Sequence, residues 1–259
     1  MKDNECLVLP DPHCTPEHNN NRLEWAGKFA VKRKPKYIVC LGDFAEMGSL
    51  SKYDVGKLSA EGKRYADDLA SCHDGLKKFN KPIDEYNARA RKNKSKLYKP
   101  KKIMCLGNHE NRINLAVQDK PSMYGHMSVD DLQYKEHGWN VFDLTQPAVV
   151  EGIAFAHYFT SGVMGLPIGG VNHARSLVLK TLSSCVVGHS HLTDYTRLTS
   201  VTGRQKIGLV AGCYFDYDMD WTTENERYWR GLIYLHDMHD GYAEPEFLNL
   251  ETYLRRVYG

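Results

Sequence analysis

Eight side chains able to bind metal or move protons stand in five short blocks of this sequence. They are Asp11 and His13 in PDPH, Asp43 in LGDF, Asn108 and His109 in LGNHE, His157 in FAHYF, and His189 and His191 in GHSH. Carboxylates and imidazoles without thiolates suit manganese, iron, zinc or a related divalent ion. Eight such groups exceed the needs of one tetrahedral ion, and they suit two ions that share a bridging carboxylate. Singly, no block is diagnostic. Asp-Pro and Gly-Asp are turn formers for local reasons, a lone histidine such as His157 is more often a hydrogen-bonded core or surface residue, and GHSH alone fits a metal site or an edge turn about equally.

The elements that carry these blocks share a grammar. ECLVLPDPH, KYIVCLGDF, KKIMCLGNH and LSSCVVGHSH each run through apolar residues, break at Pro or Gly, and deliver Asp, Asn or His; GIAFAHYF ends on His157 without the glycine break. Short apolar runs bounded by turn signals predict strands buried on both faces, and Gly107 is expected to let the backbone turn tightly into the site. NRLEWAGKFAVKRK predicts an amphipathic helix, TDYTRLTS and QKIGLVAGCYF predict strands, and GLIYLHDMHDGYAEPEFLNL predicts a hairpin turning near Asp240-Gly241. Strands and helices alternating early, then strand-rich sequence, imply an α/β sandwich whose sheets are covered by helices. In such sheets ligand sites form at the carboxyl ends of strands, so the five blocks are expected to converge in one crevice.

A chain of 259 residues with 42% hydrophobic and 25% charged residues is long enough to bury a substantial core without disulfide or metal staples. The formal charge of +2 gives no bulk electrostatic reason to expect a nucleic-acid binder. Seven cysteines cannot form a complete disulfide framework within one chain, and no CxxC pair occurs, which predicts reduced thiols in an intracellular protein. With neither a signal peptide nor a long apolar segment, the expectation is a cytoplasmic protein with no membrane partner. Residues 50 to 101 read as a charged helical insertion on both sides of Pro82. Its end carries eight Lys and Arg residues between Arg89 and Lys102. Such a run is a solvated face, or else a set of cations drawing a phosphorylated substrate toward the site.

The ordered set D-x-H, GD, GNHE, isolated H and GHxH, spanning Asp11 to His191, resembles the calcineurin-like metallophosphoesterase superfamily. The resemblance implies a four-layer α/β/β/α sandwich of two mixed sheets flanked by helices. It implies one domain over residues 1–259, with the basic helical insertion at about 50–101. It also implies two divalent ions: manganese first, with iron, zinc, nickel or cobalt as alternatives. Asp11, His13 and His191 would hold one ion, Asn108, His157 and His189 the other, and Asp43 would bridge them. His109 would be the general acid beside the leaving group. The family often has Asp three residues after the bridging Asp to orient that histidine; here Glu46 stands there. His173 and His126 compete with His157 for the isolated position.

The chemistry implied is phosphoester hydrolysis. Two divalent ions about 3.5–4 Å apart can lower the pKa of a shared water and clamp phosphate oxygens during in-line displacement. His109, protonated, would donate to the departing oxygen, an effect of roughly 10²–10⁴-fold. Resemblance to small members of the superfamily favours a phosphodiesterase; a phosphomonoesterase and a nuclease acting on DNA or RNA are the alternatives, with a nucleotide or nucleic acid as possible substrate. A non-enzymatic protein-binding scaffold is disfavoured by the full ligand set. Arg112 and His173 are candidate substrate contacts, Arg112 equally well a helix-end charge. His18, Asn19 and Asn20 line the pocket or cap the next helix, and Glu110 fits either a helix start or a pocket role.

Overall fold

The computed structural model describes residues 4–220 and 222–259. In chain order the elements are β1 (Cys6–Leu9), α1 (Asn21–Arg33), β2 (Tyr37–Cys40), α2 (Tyr65–Lys92), β3 (Lys101–Cys105), α3 (Asn108–Asp119) and β4 (Trp139–Phe142). There follow β5 (Ala148–Val150), β6 (Ile153–Phe155), β7 (Thr160–Ser161), β8 (Leu166–Pro167), α4 (His173–Thr181) and β9 (Ser184–Val187). The chain ends with β10 (Thr193–Thr199), β11 (Gln205–Ala211), β12 (Gly231–His239), β13 (Tyr242–Asn249) and α5 (Arg255–Tyr258). The fold is mixed α/β. A six-stranded sheet has the order β13-β12-β1-β2-β3-β4, a five-stranded sheet has the order β10-β11-β9-β6-β5, and β7 and β8 form a small ribbon.

The apolar runs are continuous because the strands are covered on both faces, and the period of two along each strand sorts their side chains. Leu7 and Leu9 of β1, Ile38 and Cys40 of β2 and Met104 of β3 share one core with Leu23, Phe29, Leu76, Phe79 and Ile113 from α1, α2 and α3. Their alternates, Cys6, Val8, Val39, Ile103 and Cys105, share a second core with Ile153, Phe155, Val186, Leu209 and Ala211 of the five-stranded sheet. A third core joins Ala174 and Leu177 of α4 to Cys185, Val187 and Val210.

β1, β2, β3 and β4 pair in parallel, so β1, β2 and β3 deliver their carboxyl-end loops to one edge of the sheet; β6, β9 and β11 are likewise parallel to one another. The β12–β13 hairpin turns at Asp240-Gly241 as the sequence predicts. The short strands β4 and β5 lie outside the apolar runs that predicted strands.

α2 runs through Pro82 without a break. It is bound into the first core: Phe79 and Leu76 are fully buried there, and Gly27 of α1 packs so close that a Cβ would meet the Phe79 carbonyl at 2.3 Å. Burying a side chain such as Phe79 contributes about 1.5–3 kcal/mol. The basic run from Arg89 to Lys102 occupies the end of α2 and the start of β3, which is the amino end of that strand. It therefore sits at the opposite end of the sheet from the loops that follow β1, β2 and β3. Among the described residues no helix is long and apolar enough to cross a membrane.

Candidate metal centre

All five blocks meet at the carboxyl ends of β1, β2, β3, β6 and β9. Asp11, His13 and His191 bring ligand atoms within 4.8 Å of one another, as do Asp43, His157 and His189. Asn108 joins the second group through its Oδ1, 2.9 Å from His157 Nε2, and His189 Nδ1 lies 3.1 Å from the same nitrogen. Asp43 stands between the groups: its Oδ2 is 3.2 Å from His157 Nε2 and 3.8 Å from His13 Nε2. His126, the competitor for the isolated position, is exposed. His173 is buried at the start of α4 and is not among the residues lining the cavity over the site.

Backbone conformation aims these side chains. Asp11, His13, Asp43, His189 and His191 all have left-handed φ, between 39° and 68°. That region is uncommon for residues with a Cβ, and clusters of it mark sites where the surrounding fold holds strain. Gly107 plays a different part from the one expected. Its φ of −97° needs no glycine; what does is proximity, because a Cβ would meet Asp43 Oδ1 at 2.0 Å. Gly188 is constrained likewise, its Cβ position lying 2.1 Å from Asp11 Oδ1.

The residues present fit a cation pair. His13 Nε2 and His191 Nε2 face each other at 3.1 Å, and Asp11 Oδ1 is buried with no hydrogen-bond partner. Buried polar atoms are normally partnered, and a divalent ion satisfies an orphaned carboxylate oxygen and opposed imidazole lone pairs together. The tautomers are set for it: His157 Nδ1 donates to the Leu41 carbonyl at 2.9 Å, leaving Nε2 as the inward acceptor, and His13 Nδ1 pairs with Glu46 Oε2. Outer partners of this kind hold a ligating ring in place and raise its basicity.

The charges are strongly coupled. Burial raises the Asp11 carboxyl well above the usual range, and the neighbouring Asp43 charge adds to this against the pull of His157. For Asp43 burial also works upward, but His109, His157 and His13 prevail and hold it well below that range. His109 and His157 are each pushed up to about 9, because nearby carboxylates overcome burial. Burial and the charge on His157 depress His189 to about 4; burial and His13 hold His191 well below the ordinary imidazole range.

His109 adjoins both ligand groups: with His13 and Glu46 it forms a third set of ligand atoms within 4.8 Å of one another, and its backbone N–H donates to Asp43 Oδ1 at 2.9 Å. Its Nδ1 donates to the Glu46 carbonyl at 2.8 Å and its Nε2 is 3.8 Å from Asp43 Oδ2. Glu46 serves two rings, since its Oε1 is also 3.3 Å from His109 Nδ1. Arg112 lines the cavity. Its Nη1 donates to the Glu46 and Met47 carbonyls at 3.0 and 3.3 Å, and its Nη2 lies 3.2 Å from His109 Nε2. That last contact is a donor meeting a lone pair only when the ring is neutral, so a proton on Nε2 requires the guanidinium to turn away. Both are donors otherwise, and an anionic group in the cavity gives Arg112 somewhere to go.

Three parts of the site were not legible in the sequence. Glu110 takes the helix-start role and not the pocket one: it is fully buried and does not line the cavity, and Oε2 accepts from the Gly107 N–H at 2.8 Å at the start of α3 and from the Asp43 N–H at 2.9 Å. Its Oε1 accepts from the Phe44 and Ala45 N–H groups at 2.7 and 3.1 Å and from the Tyr134 hydroxyl at 2.9 Å. Arg22, also buried, donates to the Tyr214, Asn19 and Pro12 carbonyls at 2.8, 2.7 and 2.6 Å and so pins the loop bearing Asp11 and His13. Phe215 packs edge-on against His13 and His191 with centroids 5.3 and 5.1 Å apart. Tyr214, next to it, points into the core and donates to the Arg22 carbonyl at 2.7 Å. The run CYFDYD signalled aromatic content beside the site but not which rings face it.

No family model and no curated protein matches this chain. Among solved structures, a phosphoesterase from E. coli, YfcE, is similar at 13% identity and a TM-score of 0.37, covering 95% of this chain and 100% of that one. A likeness that loose says nothing about the chemistry of this chain.

Proposed function

We propose that this protein is a binuclear metal-dependent phosphoesterase, with phosphodiesters as its favoured substrates, built as one domain whose three cores separate the layers of an α/β/β/α sandwich. The observation that carries the reading is the pair of donor groups, Asp11 with His13 and His191 and Asp43 with Asn108, His157 and His189, with His109 beside both. In this reading Asp11, His13 and His191 would hold one ion, Asn108, His157 and His189 the second, and Asp43 would serve both. When bound, such a pair supplies an acidified water as nucleophile and offsets charge on the phosphate oxygens.

The chain's own residues do the rest. Glu46 and the Leu41 carbonyl keep His13 and His157 turned inward. Glu110 and Arg22 hold the two loops that present the carboxylates. Arg112 moves from His109 Nε2 to a phosphate oxygen, where its planar fork suits the anion, and His109 then carries on Nε2 the proton that the departing oxygen takes. The basic run supports no nuclease grip, because it lies at the amino end of β3.

The test is hydrolysis of bis-p-nitrophenyl phosphate and p-nitrophenyl phosphate by manganese-loaded protein, with calorimetric titration of manganese into metal-free protein. Two ions per chain and faster diester cleavage are expected. Preference for the monoester overturns the diester assignment; full activity in Asp43→Ala overturns the metal mechanism.

A further inference from the structure

Glu46 and Asp54 each line two cavities. One, of 410 Å³, covers the metal centre; the other, of 440 Å³, adjoins it at these two side chains and is lined by His18, Tyr217, Lys57 and Lys63 among others. The rings connect the two. His18 lies parallel on Tyr217 with centroids 4.0 Å apart and planes 5° from coplanar, Tyr217 packs on Phe215 at 5.1 Å, and Phe215 touches His13 and His191. Tyr217 is anchored by its hydroxyl, which donates to the His13 carbonyl at 2.6 Å. The column of rings therefore begins at a fixed point of the metal site and ends on His18, which is exposed; among the described residues no ring or cation other than Tyr217 lies against it.

The charge around this second lobe argues against a second phosphate. Lys57 and Lys63 share the lining with Glu17, Glu46, Asp54 and Asp220, while Asp218 pairs with Arg230 at 2.7 Å. The lobe offers a flat, open ring face and carboxylate acceptors rather than a cationic cradle. Glu46 is the wall between it and the cavity over the metal site. A substrate with its phosphate in that cavity reaches this lobe by passing Glu46.

We propose that the second lobe is a subsite for the nucleoside of a phosphodiester, with the base stacked on the outer face of His18 and the ribose passing Glu46. The inference rests on the phosphoesterase reading. In the step it serves, a water oxygen bonds to phosphorus, one P–O ester bond breaks, and the departing oxygen takes the proton from His109.

The test uses manganese-loaded full-length protein on methyl adenosine 5′-phosphate and on methyl butyl phosphate. Stacking of a base on an aromatic side chain predicts that His18→Ala lowers the ratio of kcat/KM for the adenosine ester over the butyl ester by about 5- to 150-fold, whereas His18→Phe keeps the ratio. An unchanged ratio in His18→Ala overturns the subsite. Bis-p-nitrophenyl phosphate separates the failures: if it is cleaved while the ratio stays flat, only the subsite is wrong, and if no ester is cleaved, the phosphoesterase reading falls and the subsite with it.

Discussion

Replacing Glu110 by Gln tests whether one buried carboxylate holds Asp43 in place. Its two oxygens accept five hydrogen bonds, three on Oε1 from Phe44, Ala45 and Tyr134 and two on Oε2 from Asp43 and Gly107. A glutamine keeps one oxygen. In the better orientation it retains the three and turns an NH2 toward the N–H groups of Asp43 and Gly107, leaving two buried donors unmatched. Each costs about 1–3 kcal/mol, so the change should destabilise the fold by about 2–6 kcal/mol out of the roughly 5–15 kcal/mol usual for a domain. Urea unfolding of the metal-free protein reads this directly. The same change releases the Asp43 backbone, and loss of an outer partner typically weakens metal binding about 10–100-fold, which manganese titration reads. Tyr134→Phe removes one of the five bonds and leaves both N–H groups at Asp43 and Gly107 satisfied, so it should cost about 1.5–3 kcal/mol without weakening the metal. A Glu110→Gln protein that unfolds within about 1 kcal/mol of the parent, with unchanged manganese affinity, would refute the reasoning.

Three other outcomes are expected from the site and the core. His109→Ala should lower kcat by about 10²–10⁴-fold on alkyl esters and much less on p-nitrophenyl esters, since an alkoxide needs the proton more; equal losses on both would remove His109 from the acid role. Glu46→Gln should weaken manganese binding at the His13 group about 10–100-fold, and the drop should appear in calorimetry as one weakened site of two rather than both. Alkaline stability should be poor. All seven thiols are free and buried, and burial pushes Cys14 and Cys105 up to about 12. From about pH 9 upward the unfolded chain sheds protons that the folded chain keeps, so stability falls by about 1.4 kcal/mol per pH unit for each such thiol. Burial of Lys102, lowered to about 8, acts with the opposite sign over the same range but is one group against several. Thermal melting at pH 7 and pH 10.5 should show a fall of many degrees; a flat profile would show the thiols to be solvated.

The blocks could be read from sequence because each depends on its own few residues: an apolar run that must be covered on both faces, a break, and a polar tail that follows at the strand's carboxyl end. NRLEWAGKFAVKRK became α1 and the Asp240-Gly241 turn became the β12–β13 hairpin for the same local reasons. Other features needed distance. Glu110 is three residues from Gly107 but 67 from Asp43, and only the parallel pairing of β2 and β3 brings its carboxylate under both. Arg22 and Tyr214 meet across 192 residues. The charge of the basic run was visible in the sequence, yet its place at the amino end of β3, away from the site, is a fact of topology.

By itself, then, the sequence determined which side chains could hold metal and move protons, because residue type and the turn after a buried strand are local properties. Which carboxylate supports which ring, why Gly107 must lack a Cβ, and that His18 extends a column of rings outward from the metal site were decided by tertiary structure alone. Those depend on loops from different strands approaching within a few ångströms of one another.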